Sequence, residues 1–127
     1  MAKNLEENLK ETLESISNEL GGTIGISIVE LATGMSLAAI SKKAGFDLGV
    51  AAAYNAEVVK QKMKAVAALK LKTSPEEFVI TFPDQIHLIR FISSTYILYY
   101  AGESTSNLGL VRTVIKTKTD GLSSVLK

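Results

Sequence analysis

The stretch EFVITFPDQIHLIRFISSTYILYYAG, residues 77–102, decides the fold. It reads as three strands, Glu77–Phe82, Ile86–Ser93 and Tyr96–Gly102. Pro83-Asp84-Gln85 forms the first turn and Ser94-Thr95 a tight second one. His87, Ile89 and Phe91 fall on one face, and Ile86, Leu88 and Ile92 on the other, with Arg90 the exception. Ile97, Tyr99 and Ala101 oppose Tyr96, Leu98 and Tyr100. A sheet apolar on both faces must be covered on both faces, so helices are expected above and below it.

The flanking sequence supplies those helices. Upstream, residues 47–71 read as one long helix, with Asp47 as its N-cap and Pro75 closing the segment. Leu48, Ala52, Asn55, Val59, Met63 and Val66 cluster within roughly 80° of arc at 100° per residue. Ala51, Val58, Ala65 and Leu69 widen this stripe on one side, Ala56 and Ala67 on the other, and Glu57, Lys60, Gln61 and Lys64 leave only a narrow polar face. Either such a helix is largely buried in its own domain or it meets another subunit. Further upstream, residues 23–31 and 35–41 read as a hairpin turning at Ala32-Thr33-Gly34. Ile24, Ile26 and Ile28 are expected on one face, with Gly25, Ser27 and Val29 on the other. Before the hairpin, Leu5, Leu9, Leu13, Ile16 and Leu20 mark an amphipathic helix capped by Asn4 and ended by a left-handed cap at Gly21-Gly22. After residue 102, Ser104-Thr105-Ser106 offers caps for a last helix carrying Leu108, Val111, Val114 and Ile115, weakened at Gly121. The element order is α-β-β-α-β-β-β-α.

Composition narrows the function. The 127 residues suit one domain, 1–127, and 46% apolar with 21% charged residues is that of a globular chain. With no cysteine and one histidine, thiolate and most zinc chemistry are excluded. The adjacent acid pairs Glu6-Glu7 and Glu76-Glu77 do not build a carboxylate metal site. Gly21, Gly22 and Gly25 stand between a helix and a strand, the reverse of a nucleotide-binding turn, and no phosphate loop occurs. Gly34-Met35-Ser36-Leu37-Ala38 lacks the strand-to-helix setting of a nucleophile elbow. No catalytic residue, metal site or cofactor is therefore expected, and the chain reads as a non-enzyme.

The longest uncharged run, Phe91 to Gly102, is too short to cross a membrane, and the charged opening MAKNLEENLKETLE has no leader character. The expectation is a cytoplasmic protein without membrane insertion. A net charge of +1 gives no pull toward nucleic acid. Charge is uneven, however: residues 1–40 hold six acids and two bases, and residues 41–72 hold seven lysines and two acids. Two surfaces for different partners would look like this. So would lysines gathered toward the C-terminal end of a helix by its dipole.

Local sequences add a resemblance. Leu13–Gly22 running into GISIVE, the hairpin glycine Gly34, the alanine-rich helix from Asp47 and the closing Asn107-Leu108-Gly109-Leu110-Val111-Arg112 resemble the roadblock family, named for a dynein light chain, over about residues 5–118. The resemblance implies an α+β fold, an α/β/α sandwich. In it a five-stranded antiparallel sheet carries the long helix on one face and the two terminal helices on the other. It also implies a homodimer joined through the third strand and the long helix, and a non-catalytic regulator or scaffold of a small Ras-like GTPase. The closing NLGLVR helix is similar to that of bacterial and archaeal members of that kind. A structural adaptor of a motor or membrane-associated complex is the alternative, and a small-ligand sensing module with Asn55 and His87 as its polar groups is a third possibility.

The residues themselves favour dimerisation. Phe78-Val79-Ile80-Thr81-Phe82 is uncharged and strand-forming, an aggregation hazard as a bare edge unless a second chain pairs with it. Phe78, Val79, Ile80, Thr81 and Phe82, with Ala51, Val58 and Ala65, are the expected dimer contacts, and Glu57, Lys60, Gln61 and Lys64 the expected partner-facing residues.

Overall fold

The computed structural model describes residues 4–127; Met1, Ala2 and Lys3, which begin the opening read above as leader-free, lie outside them. Eight elements follow in the expected order: α1 (Leu5–Glu19), β1 (Thr23–Glu30), β2 (Ser36–Ser41), α2 (Leu48–Ala68), β3 (Glu77–Thr81), β4 (Gln85–Phe91), β5 (Tyr96–Glu103) and α3 (Leu108–Asp120). The strands form one antiparallel sheet in the order β2-β1-β5-β4-β3. Both faces are covered. Leu9, Leu13 and Ile16 of α1 and Val111 and Ile115 of α3 pack with Ile26, Ile28, Leu88, Leu98 and Tyr100. On the other face, Leu48, Ala52, Ala56 and Val59 of α2 pack with Val29, Ile89, Ile97 and Tyr99.

Each helix begins on a side-chain cap that satisfies an otherwise orphaned amide. Asn4 accepts from the Glu7 amide at 2.9 Å, and Asp47 from the Val50 amide at 3.0 Å. Asn107 caps α3 by accepting from the Leu110 amide at 3.0 Å. The Ser104–Ser106 caps expected from sequence are not used. Ser106 instead donates its hydroxyl to the Gly21 carbonyl.

The helix ends differ from expectation in instructive ways. Leu20 caps α1 in extended geometry, and the left-handed residue is Gly22, φ 80°, further along the chain. α2 stops at Ala68, short of Leu71, because Lys70 adopts φ 55°. The Lys70 amide donates to Ala67 and the Leu71 amide to Val66, the double closure of a Schellman motif built without glycine. α3 ends at Asp120 as Gly121 caps it, and the chain beyond returns Leu122 and Leu126 to the core.

Two strand expectations are corrected. Ile24 does not share a face with Ile26 and Ile28. The β1–β5 register slips between Thr23 and Gly25, and this bulge turns Ile24 onto the α2 side. β4 ends at Phe91 instead of Ser93: the Ile92 and Ser93 amides both donate to the Tyr96 carbonyl, and the Ser93 hydroxyl receives the Thr95 and Tyr96 amides. The turn is therefore wider than Ser94-Thr95. In the β1–β2 turn, Gly34 has φ 74° and lies against Ala53 of α2, where a Cβ would meet backbone at 3.3 Å.

Candidate interaction surface

β3 is a terminal strand, paired to β4 alone, with Glu77 opposite Arg90 and Ile80 opposite His87. Of the five residues expected at a dimer seam, Ile80, Thr81 and Phe82 are exposed and Phe78 and Val79 half-buried. Phe78 stacks edge-on to Phe91, ring centres 5.9 Å apart, on the α2 side. Val79 packs toward α1 and α3. The strand therefore offers apolar contacts from Phe78 to Ile80 and an outer backbone edge unpaired among the described residues.

The broad apolar arc of α2 divides in two. Leu48, Ala52, Ala56 and Val59 are buried on the sheet. A second apolar stripe faces outward, where Tyr54 is 72% and Leu69 67% exposed, with Val50 and Val58 exposed beside them. At 100° per residue, Tyr54, Ala51, Val58, Ala65 and Leu69 share about 60° of arc, clear of the buried stripe. Of the expected contacts, Val58 is exposed and Ala51 and Ala65 half-buried. Tyr54 was not among them. Its place in the stripe follows from the same 3.6-residue period.

Glu57, Gln61 and Lys64 stand exposed on the outer face of α2. Lys60 is engaged. Its ammonium donates to the Ala32 carbonyl at 3.2 Å and pairs with Glu57 at 2.6 Å, tying α2 to the β1–β2 turn. The two polar groups of a possible ligand site do not converge. Asn55 donates to the Ala51 carbonyl at 2.7 Å, within its own helix. His87 lies in an aromatic cage of Phe46, Phe82 and Tyr99. Its Nε2 meets the Gln85 amide oxygen at 2.7 Å, so Nε2 carries the proton and Nδ1 accepts from the Tyr99 hydroxyl at 3.3 Å. Desolvation holds the His87 pKa below its usual 6.5, against the pull of Asp84, and burial pushes the Tyr99 hydroxyl up to about 12. Among the described residues no group of three or more acids or histidines is placed to hold a metal ion.

This architecture recurs in solved structures. MglB of Myxococcus xanthus superposes with a TM-score of 0.86 at 14% identity, covering 98% of this chain and 92% of that one. A Roadblock/LC7 domain from Streptomyces avermitilis superposes at 0.81 with 8% identity, covering 92% and 96%. This is the roadblock fold. MglC of Myxococcus xanthus shares it more loosely, with a TM-score of 0.64, 25% identity and coverage of 93% and 98%. No family model and no curated relative matches the chain.

Within the roadblock fold of this chain, one cluster escaped the sequence reading. The Glu77 carboxylate bonds Arg90 of β4 at 3.0 Å with one oxygen and Arg112 of α3 with the other. The signal was present: Arg90 broke the facial alternation of its strand, and a buried cation needs a carboxylate across the ladder.

Proposed function

We propose that this chain is a non-catalytic, homodimeric regulator or scaffold of a small Ras-like GTPase, working in the cytoplasm as one roadblock-like unit. The observation that carries it is that two apolar surfaces stand open: the edge of β3, uncharged from Phe78 to Thr81, and the outward stripe of α2. A two-fold axis beside β3 sets it antiparallel to its copy and continues one sheet through two chains. The same operation brings the two α2 stripes together, and Tyr54, Val58 and Ala65 leave water. A stable contact needs about 800 Å² per partner, more than a five-residue strand offers, so strand and helix act together.

The neighbours support this reading. One is described as a gliding protein of Thermus thermophilus, TM-score 0.85, and another as MglB with a tetrameric arrangement, also 0.85. Among the described residues no helix is long and apolar enough to cross a membrane. In the dimer the outer α2 faces, with Glu57, Gln61 and Lys64, lie side by side as one platform for the GTPase.

Two measurements test this. Light scattering at micromolar protein should give twice the 13.6 kDa chain mass. A monomer across that range overturns the dimer. Ile80→Lys, which sets like charges against each other at the seam, should yield monomers. GTP turnover and pull-down with candidate small GTPases then test the partner. Failure to bind any of them overturns the GTPase reading and leaves the dimer standing.

A further inference from the structure

A cavity of about 430 Å³ opens between the C-terminal half of α2 and the ends of β1, β3 and β4. Leu31, Met63, Pro75 and Phe91 form its apolar walls, and no charged residue lines it. Its volume is that of an ordinary ligand pocket. A shallower hollow of about 290 Å³ continues it: the two share Leu31 and Ser94, and Lys60 lines the second. Together they make one groove with an apolar floor and a cation at one end.

The polar groups of the groove are partly unspent. The hydroxyls of Ser74 and Ser94 make no hydrogen bond among the described residues, and both residues are exposed. Lys60 uses two of its three ammonium hydrogens, on Ala32 and Glu57, and its side chain is 32% exposed. Polar capacity therefore stands at both ends of the groove: Ser74 in the larger compartment, Lys60 in the smaller. A fatty carboxylate has a polar group at one end only. A peptide segment has amides along its whole length, an apolar side chain for the floor and a carboxylate for the lysine.

We propose that this groove receives an acidic partner segment whose aromatic or large aliphatic anchor fills the Leu31–Met63–Pro75–Phe91 cavity while an adjacent carboxylate meets Lys60. Anchors of this kind carry most of the energy of an interface. Met63 sits about 140° around α2 from Val58, so the outward stripe can pack in a dimer without covering Met63. The assignment deepens the partner-binding reading of α2 and rests on it. Its test uses no GTPase, so the two can fail separately.

The experiment is a titration followed on the Met63 methyl resonance of the full chain. The probes are three blocked tripeptides, glutamyl-phenylalanyl-glutamate, lysyl-phenylalanyl-lysine and glutamyl-alanyl-glutamate, and sodium decanoate. The acidic phenylalanine peptide should shift the resonance saturably and bind about fivefold more tightly than its basic counterpart at low salt. The alanine peptide should bind about tenfold more weakly or not at all. Lys60→Gln should weaken the acidic peptide about fivefold relative to the basic one, a loss of charge preference that a disturbed β1–β2 turn alone does not produce. No shift with any peptide, equal affinity for acidic and basic peptides, or an unaltered charge preference in Lys60→Gln overturns the proposal. Decanoate binding more tightly than every peptide also overturns it, in favour of a fatty carboxylate site.

Discussion

Glu77 faces Arg90 directly across β3 and β4, and its second carboxylate oxygen holds Arg112 on α3. One carboxylate thus joins the edge strand, its neighbour and the last helix. The Glu77 and Arg90 side chains are only 13% and 11% exposed, whereas Arg112 is 57% exposed. Removing one partner of a buried pair strands the other charge. Glu77→Ala should therefore cost about 3 kcal/mol in denaturant unfolding. Arg112→Ala should cost less than about 1 kcal/mol. A Glu77→Ala loss as small as that of Arg112→Ala would show that Arg90 draws its compensation from elsewhere.

Much of this architecture was legible in residues 77–102 alone. Alternation on both strand faces demanded two covering layers, and helical periods on either side supplied them. What escaped has physical causes. The Ile24 bulge is one extra residue in a run of strand formers, and no local preference marks it. Lys70 ends α2 in a conformation that propensity assigns to glycine, so Pro75 was the nearer visible stop. Lys60 looked like part of a solvated face because its partner, the Ala32 carbonyl, lies 28 positions away. Glu77, Arg90 and Arg112 meet only once β3, β4 and α3 are packed.

Lys70 is the only residue other than glycine with positive φ among those described. A Cβ in this region costs roughly 1 kcal/mol, which glycine avoids, although glycine also loses more chain entropy on folding. Lys70→Gly should stabilise the protein by up to about 1 kcal/mol, read as a higher denaturant midpoint at unchanged slope. Lys70→Ala should gain nothing, because the Cβ remains.

The Tyr100 hydroxyl is buried and has no hydrogen-bond partner among the described residues. A buried orphan of this type costs about 1–3 kcal/mol, so Tyr100→Phe should leave stability unchanged or raise it by about 1 kcal/mol. Gly102 explains the ring's position: a Cβ there would collide with the hydroxyl oxygen and the ring edge. Gly102→Ala should destabilise, since it forces the ring out of its site between α1 and the sheet. Thermal melts of the two variants should move in opposite directions or, for Tyr100→Phe, not at all.

His87 gives the fold a pH dependence of known sign. Burial lowers its pKa below 6.5 in the folded state, so the unfolded chain binds the proton more readily. Its contribution is fully present above 6.5 and is lost as pH falls below 6.5 toward the folded pKa. Tyr99 acts at the other end. Its stabilising contribution is complete below 10 and is lost as pH rises toward about 12. Thermal melts between about pH 7.5 and pH 5.5 should show a falling midpoint that flattens in His87→Gln. An identical slope in that variant would assign the acid sensitivity to other groups. Asp84→Asn removes a charge that favours the protonated ring, so it should steepen the loss.

The surface that meets a GTPase is tested most directly through charge. Lys60 is unsuitable, because reversing it would also break the Ala32 contact and disturb the β1–β2 turn. Gln61 and Lys64 are exposed on the same outer face. Gln61→Glu with Lys64→Glu changes that face by three charge units per chain, six in a dimer, without touching the apolar stripe. Long-range charge acts mainly on encounter, so the association rate with a GTPase of opposite local charge should fall about threefold to tenfold at low salt. The difference should vanish near 0.5 M salt, where the Debye length drops to about 4 Å. Dissociation should change little, since short-range anchors set it. Light scattering must first show that the variant remains dimeric. If the GTPase then associates as fast as with the unaltered chain at low salt, docking lies off the α2 platform. The face built by α1 and α3, where Glu6, Glu7 and Glu19 are exposed, becomes the surface to mutate next.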